Sequence, residues 1–271
     1  MYNKKYNGTQ YEDENHKSWF SLYNNQIAYV RDKAEINLLK NLEVLSLPTS
    51  HIPDLLDVSQ TLKKITGWEI VGVEGLVETL QFFKMLSKKQ FPSTIYIRGS
   101  SASNLSYSPD IFHELFGHIP ILMNDKHSEY VQKFGQLCLE FNEREVALLQ
   151  RLYWFSYEMG LITTKEGLKI YGASLMSSYD EVKHAFSDKA VIKPFSLLDI
   201  LRTPYRDDMV QSVYFKLSSF EELFEVLEDV KCLRSTINSA YYMGEYYPSF
   251  STVNPTAGSS IGRCKFTVDV E

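Results

Sequence analysis

The stretch Ser108-Pro109-Asp110-Ile111-Phe112-His113-Glu114-Leu115-Phe116-Gly117-His118 sets two imidazoles five residues apart. Forty residues after His118, the run Tyr153-Trp154-Phe155-Ser156-Tyr157-Glu158 adds a carboxylate in aromatic company. Two His and one carboxylate can take one face of an octahedral iron and leave the opposite face open, a pattern that suggests an oxygenase. The zinc-protease arrangement needs His at i and i+4 on one helical face. This chain has HExxxH instead, and five residues along an unbroken α-helix leave two rings about 140° apart. The pair therefore converges only if the helix ends at Gly117 and frees His118 to swing back. Taken singly, each group has a plain reading: a structural helix end for the His pair, a solvated last-turn residue for Glu158. Together they point to a metal, because a carboxylate among Trp154, Phe155, Tyr157 and Met159 is costly unless paired or coordinated.

The elements that must hold these groups are mostly helical. Apolar residues recur at helical spacing over Glu12–Tyr29, Ala34–Leu47, Asp54–Ile65, Leu76–Leu86 and His127–Phe141, and Gly67 reads as the residue that stops the third of these. Ser108 is the expected cap of the His helix, with Pro109 at its first position and Asp110 in its first turn. Asn142 and Glu145 form a capping-box pattern, and the helix they open is expected to run to about Gly160. Ser219–Lys231 is a late helix. Thr94–Arg98, Leu168–Tyr171 and Ser212–Leu217 are short strand candidates. The last forty residues read as loop-rich, with a closing strand at Lys265–Val270. The expected fold is mostly α (α+β): a single helical domain over residues 1–271, with a few short strands around the site and residues 1–10 as a tail. No linker sets the first 60 or so residues apart.

Bulk composition excludes several classes. The net charge of −6 argues against a basic nucleic-acid or membrane surface. Three widely spaced cysteines, Cys138, Cys232 and Cys264, form no CxxC pair, so a disulfide framework or thiolate zinc site is not expected and a reducing cytoplasm fits best. The N-terminus lacks an apolar signal segment, and no run is long enough to span a bilayer. The aromatic content, with 18 Tyr and 16 Phe, suits either an aromatic-lined pocket or a Tyr/Phe-heavy core. Phosphate-binding glycine loops and CxxC redox pairs are absent from the sequence.

The ordered set Tyr11-x-x-Glu14-x-x-x-x-Trp19-x-x-Leu22-Tyr23, Thr66-Gly67-Trp68, Pro109 to His118, Tyr153-Trp154-Phe155 with Glu158, Tyr171-Gly172-Ala173 with Ser177-Ser178, and Gln211 to Phe215 resembles the pterin-dependent aromatic amino acid hydroxylases. The resemblance runs from about Tyr11 to Phe220. It implies a compact bacterial form, typically monomeric, without the regulatory and tetramerisation segments of the animal enzymes. It further implies Fe(II) and a tetrahydropterin as cofactors, with dioxygen as co-substrate, and hydroxylation of phenylalanine, tyrosine or tryptophan.

Carried onto this chain, the resemblance makes His113, His118 and Glu158 the iron ligands. Arg98 becomes the clamp for the substrate carboxylate, helped by Ser106. Pro109 and Trp154 line the aromatic pocket. Ser177 and Glu181 act near the substrate and the first His. Gly75, Val77 and Phe82 hold the pterin ring, with Glu114 facing the pterin rather than the metal. Two positions depart from the family pattern: Pro92 stands where a His is common, and Ser174 where a Gly is usual. Asp207 matches the tyrosine-acting members, since phenylalanine-acting ones usually carry an apolar residue there. Phenylalanine to tyrosine is the expected reaction, with tyrosine or tryptophan hydroxylation as the alternative. A zinc hydrolase at the same three residues, or a binding protein that has lost its chemistry, are readings from other classes.

Overall fold

Local capping chemistry sets the helices in register. The computed structural model describes residues 11–99 and 109–246. Three helices come first, α1 (Asp13–Val30), α2 (Ile36–Leu45) and α3 (Leu55–Thr66). Asp54 opens α3 by accepting from the Leu56 amide at 2.7 Å, and Gly67 closes it at φ 78°, a left-handed conformation that a side chain would strain. Next come β1 (Glu69–Val73), α4 (Thr79–Leu86) and β2 (Gln90–Thr94), and the two strands pair in parallel with Val73 opposite Thr94.

The strand expected at Thr94–Arg98 thus lies four residues earlier. Pro92 argues against a strand in sequence, but β2 has a ladder on one side only, and an edge tolerates proline. Residues 95–98 are held differently. The Ile95 carbonyl accepts from the Tyr11 hydroxyl at 2.7 Å, the Tyr96 carbonyl from the Ile111 amide at 2.9 Å, and the Arg98 amide donates to Asp110 at 3.0 Å.

The His-bearing segment begins at Ile111, not at Pro109, and Asp110 caps it by accepting from the His113 amide at 3.0 Å. The proposed cap Ser108 lies outside the described residues. Gly117 does not end the helix. The chain passes through a π-helical turn, His113–His118, directly into α5 (Ile119–Leu122). Two further helices follow, α6 (Asp125–Cys138) and α7 (Glu143–Tyr153). The reciprocal Asn142–Glu145 capping box opens α7 as its sequence indicates. A second π turn, Trp154–Glu158, extends α7.

A four-stranded sheet then covers this end of the bundle. Its members are β3 (Leu161–Thr164), β4 (Gly167–Ile170), β5 (Val191–Pro194) and β6 (Val213–Leu217), in the order β4-β3-β6-β5. The β3–β4 pair is antiparallel and the other two pairs are parallel. Between strands lie α8 (Ala173–Ser177), α9 (Tyr179–Ala185) and α10 (Leu197–Arg202), and α11 (Phe220–Phe224) follows β6. Strands β1, β3 and β5 escaped the sequence reading, and all three are short. The region expected to be loop-rich contains α12 (Val230–Met243), which buries Leu233, Ile237 and Ala240 on one face. The closing strand expected at Lys265–Val270 lies outside the described residues.

One contiguous apolar cluster joins the first helices to the rest, with Trp19, Trp68, Phe112, Phe116 and Phe155 among its members. The first 60 residues are tied into it: Trp19 lies edge-on to Phe112 at 5.6 Å, and Gln26 donates to the Met176 carbonyl at 2.8 Å. No helix among the described residues is long and apolar enough to cross a membrane.

Candidate active site

Both π turns carry the groups singled out by chemistry. In the first, the Ile119 amide reaches back to the Glu114 carbonyl, and in the second the Met159 amide reaches the Trp154 carbonyl at 2.9 Å. A bond from i+5 to i widens the turn. Residue 118 then lies above residue 113, so the spacing of five, divergent in an α-helix, becomes convergent. The two Nε2 atoms come within 3.1 Å of each other. Glu158 Oε1 is 3.1 Å from His118 Nε2, and Oε2 is 3.7 Å from His113 Nε2.

Those separations test whether an ion fits. Donors at right angles around an ion, each about 2.1 Å away, lie about 3 Å apart. Two buried imidazole nitrogens at that distance need either a shared proton or a cation between them. Burial is the largest influence on His113 and lowers its pKa to about 3, outweighing the attraction of Glu158. It is therefore neutral at pH 7 and presents a lone pair. Burial would raise Glu158, but His118, His113 and the Ser174 hydroxyl outweigh it and hold the carboxyl at about 2. The donor set is thus one neutral imidazole, a second imidazole and one carboxylate.

Glu114 also comes close, with His113, His118 and Glu114 offering ligand atoms within 4.8 Å of one another. Its environment is the opposite of that of Glu158. Burial first, then the nearby Glu158 and Asp110, push its pKa well up, against one backbone hydrogen bond from Thr94. Burial and the neighbouring carboxylates disfavour the charged form of Glu114, whereas the His rings and Ser174 favour that of Glu158, so Glu158 is the better anionic donor.

A second layer orients the first. Ser177 Oγ is 2.8 Å from His113 Nδ1 and donates its proton to the Ala173 carbonyl at 2.9 Å. A hydroxyl has one hydrogen, so Ser177 accepts from Nδ1–H and leaves Nε2 unprotonated toward the other ligands. Asp110 is fully buried. One of its oxygens accepts from the His113 amide, the other from the Arg98 amide and Nε, all at 3.0 Å. Arg98 is held inside the fold, 8% exposed. Sequence reasoning placed Asp110 in a first helical turn and missed this bridging role, although a short carboxylate just before an apolar run is the signal of a cap.

The groups converge on a cavity of about 170 Å³, far larger than an ordinary packing void. Its wall includes Arg98, Pro109, Trp154, Ser177, Glu181 and Asp207, and also Gly75, Val77, Phe82 and Glu114. Both departures, Pro92 and Ser174, face it as well. Phe82 lies edge-on to Tyr153 at 5.7 Å. Trp154 stacks on Tyr205 at 4.4 Å and donates to Gln211 at 3.1 Å. Glu181 accepts from the Tyr214 hydroxyl at 2.7 Å and the Gln211 amide at 3.2 Å. Burial lifts Glu181 to about 7 against those two hydrogen bonds. Ser106 lies outside the described residues. Tyr205 gave no sequence signal of its own, and Gln211 entered only as part of a matched run; both hold Trp154.

The chain is similar to known proteins along most of its length. Residues 2–255 match the family model described as biopterin-dependent aromatic amino acid hydroxylase. The phenylalanine-4-hydroxylase of Pseudomonas aeruginosa is 35% identical over 241 residues, covering 89% of this chain and 91% of that protein. The apo structure of the cold-active phenylalanine hydroxylase from Colwellia psychrerythraea superposes with a TM-score of 0.86 at 36% identity, covering 92% and 96% of the two chains. The iron- and phenylalanine-bound structure of the Chromobacterium violaceum enzyme gives 0.80 at 32% identity, covering 87% and 86%. The chain belongs to the biopterin-dependent aromatic amino acid hydroxylases.

Proposed function

We propose that this enzyme hydroxylates phenylalanine to tyrosine, using Fe(II) held by His113, His118 and Glu158 together with a tetrahydropterin and dioxygen. The observation that carries the reading is the convergence of two imidazole nitrogens and one carboxylate, with mutual distances of 3.1–3.7 Å, on one cavity. Three protein donors leave part of an octahedral ion open. Bound there, the iron and reduced pterin supply the electrons and the site at which dioxygen is activated.

The chain's own groups position the reactants. Arg98, its Nε anchored on Asp110, aims the rest of a planar guanidinium that suits a carboxylate. Pro109 and the Trp154–Tyr205 stack present apolar faces for an aromatic ring. Phe82, with Gly75 and Val77, offers a flat surface and close backbone approach for the pterin ring, next to Glu114, whose charged form burial disfavours. The cavity's apolar wall keeps bulk water from the reacting atoms.

Phenylalanine is favoured over tyrosine because the relatives and solved structures that cover about nine-tenths of this chain are named for phenylalanine. The zinc hydrolase reading has no use for Gly75, Val77 and Phe82 on the cavity wall. The deciding experiment loads metal-free protein with Fe(II) or Zn(II), adds a tetrahydropterin, air and phenylalanine, tyrosine or tryptophan, and identifies products by mass. Tyrosine formation that needs both iron and pterin is expected. Product with zinc alone, or none from any amino acid with iron, refutes the proposal.

A further inference from the structure

One short helix holds two of the three proposed ligands. In α8, Ser177 bonds to His113, as above, and Ser174, three residues earlier on the same face, donates to Glu158 Oε2 at 2.8 Å. The backbone around α8 is pressed against both ligand-bearing turns. A Cβ on Gly117 would meet the Ala173 carbonyl at 2.6 Å, and one on Gly172 would overlap the Glu158 carbonyl. The Ser174 hydroxyl is therefore delivered by a docked backbone rather than by a mobile loop.

The two oxygens of Glu158 are not equivalent. Oε1 faces His118 Nε2 at 3.1 Å, while Oε2 is 3.7 Å from His113 Nε2 and carries the Ser174 hydrogen bond. An ionised carboxylate only accepts, and a hydrogen bond to it is stronger than one between neutral groups. A carboxylate with both oxygens unengaged can close on an ion through both and fill one more position. We infer that Ser174 is a positioning residue that holds Glu158 as a single-oxygen ligand, so that a coordination position stays open for reactants. The inference rests on the metal-site reading above. Ser174 stands where the family pattern usually has glycine, so this restraint is a property of this chain.

The test uses the whole protein, freed of metal, and two variants, Ser174→Ala and Ser174→Thr. Each is titrated with Co(II), whose visible absorption weakens as its coordination number rises, and Fe(II) affinity is measured by competition with a coloured chelator. Removing a group that orients a ligand lowers metal affinity about 10–100-fold. Ser174→Ala is expected to fall at least tenfold in Fe(II) affinity and to give a weaker, shifted Co(II) spectrum. Ser174→Thr, which keeps the hydroxyl, restores both. A Ser174→Ala protein with wild-type affinity and a wild-type Co(II) spectrum overturns the inference while leaving the metal site standing. Failure of the wild-type protein to bind either ion at one equivalent overturns the metal site and this inference together. Ser174 is half-buried at the cavity wall, and a matching thermal melt verifies that each variant is folded.

Discussion

Asp110→Asn isolates the ion pair beneath the site. Asparagine keeps the shape of the side chain and one carbonyl oxygen, so the cap on the His113 amide survives. What changes is the second oxygen, which accepts from both the Arg98 amide and Nε at 3.0 Å. The amide nitrogen that replaces it is a donor facing two donors. The guanidinium is then left nearly without exposure, its side chain at 7% and its partner at 0%. Removing one partner of a buried pair costs about 3–5 kcal/mol, because the remaining charge stays desolvated. Against a typical total of about 5–15 kcal/mol, the variant folds but with much less margin.

The assay is urea unfolding of metal-free protein at pH 7 for wild type, Asp110→Asn, Arg98→Met and the double variant. The double variant removes the buried guanidinium together with its carboxylate, so it should be more stable than Asp110→Asn alone, with a coupling energy of about 2 kcal/mol. In turnover, a misaimed Arg98 should raise KM for the amino acid and leave KM for the pterin unchanged. If Asp110→Asn unfolds within about 0.5 kcal/mol of wild type, the size expected of an ordinary surface change, the buried-pair reasoning is wrong.

Three further outcomes follow from the same geometry. His113→Ala and Glu158→Ala should each abolish one-equivalent iron binding and leave the far-UV spectrum intact, and full iron occupancy in both would remove the triad. For Glu181, the folded pKa of about 7 stands above the ordinary 4.5, so its contribution is full below about pH 4.5 and is lost as pH rises through 7. Wild type should therefore lose about 3 kcal/mol relative to Glu181→Gln between pH 4.5 and pH 8; a stability difference that stays flat with pH would show that burial does not govern this group. Asp207 lines the cavity and is half-buried, and its carboxylate is unfavourable beside a phenyl ring. Asp207→Val should raise kcat/KM for phenylalanine relative to tyrosine about fivefold, and an unchanged ratio would place Asp207 away from the bound ring.

Much of this was legible in the sequence because it is local. Asp54 and Gly67 bound α3, and Asn142 and Glu145 open α7, since capping needs only neighbours within four residues. The ligand types were legible too, because His, His and Glu in apolar surroundings have few other uses. What escaped depends on distant partners. β2 was misplaced because only β1, seventeen or more residues earlier, tells Gln90–Thr94 that it is a strand. Asp110 looked like a helix-dipole residue until Arg98 folded against it. Ser174 looked like a mere substitution until Glu158 lay 2.8 Å away. The helix α12 was hidden differently: its apolar residues at 233, 237 and 240 were visible, but the prolines and glycines beyond coloured the whole stretch as loop.

The spacing of His113 and His118 shows why geometry had to finish the argument. On an ideal α-helix a five-residue gap points the rings apart, and the sequence offered one remedy, a helix break at Gly117. The chain instead keeps the helix and widens one turn. The widening brings the imidazoles together, and the same device on Trp154–Glu158 turns the carboxylate in to meet them. Gly117 has another use here. Without a side chain it lets the Ala173 backbone approach, and that approach brings Ser177 to His113 and Ser174 to Glu158. A π turn is less favourable than the α-helical turn it replaces and persists where surrounding structure holds it. Here α8 is part of that structure, packing on both widened turns, so contacts that stabilise those turns and contacts that orient the ligands come together in the same five residues, Ala173–Ser177.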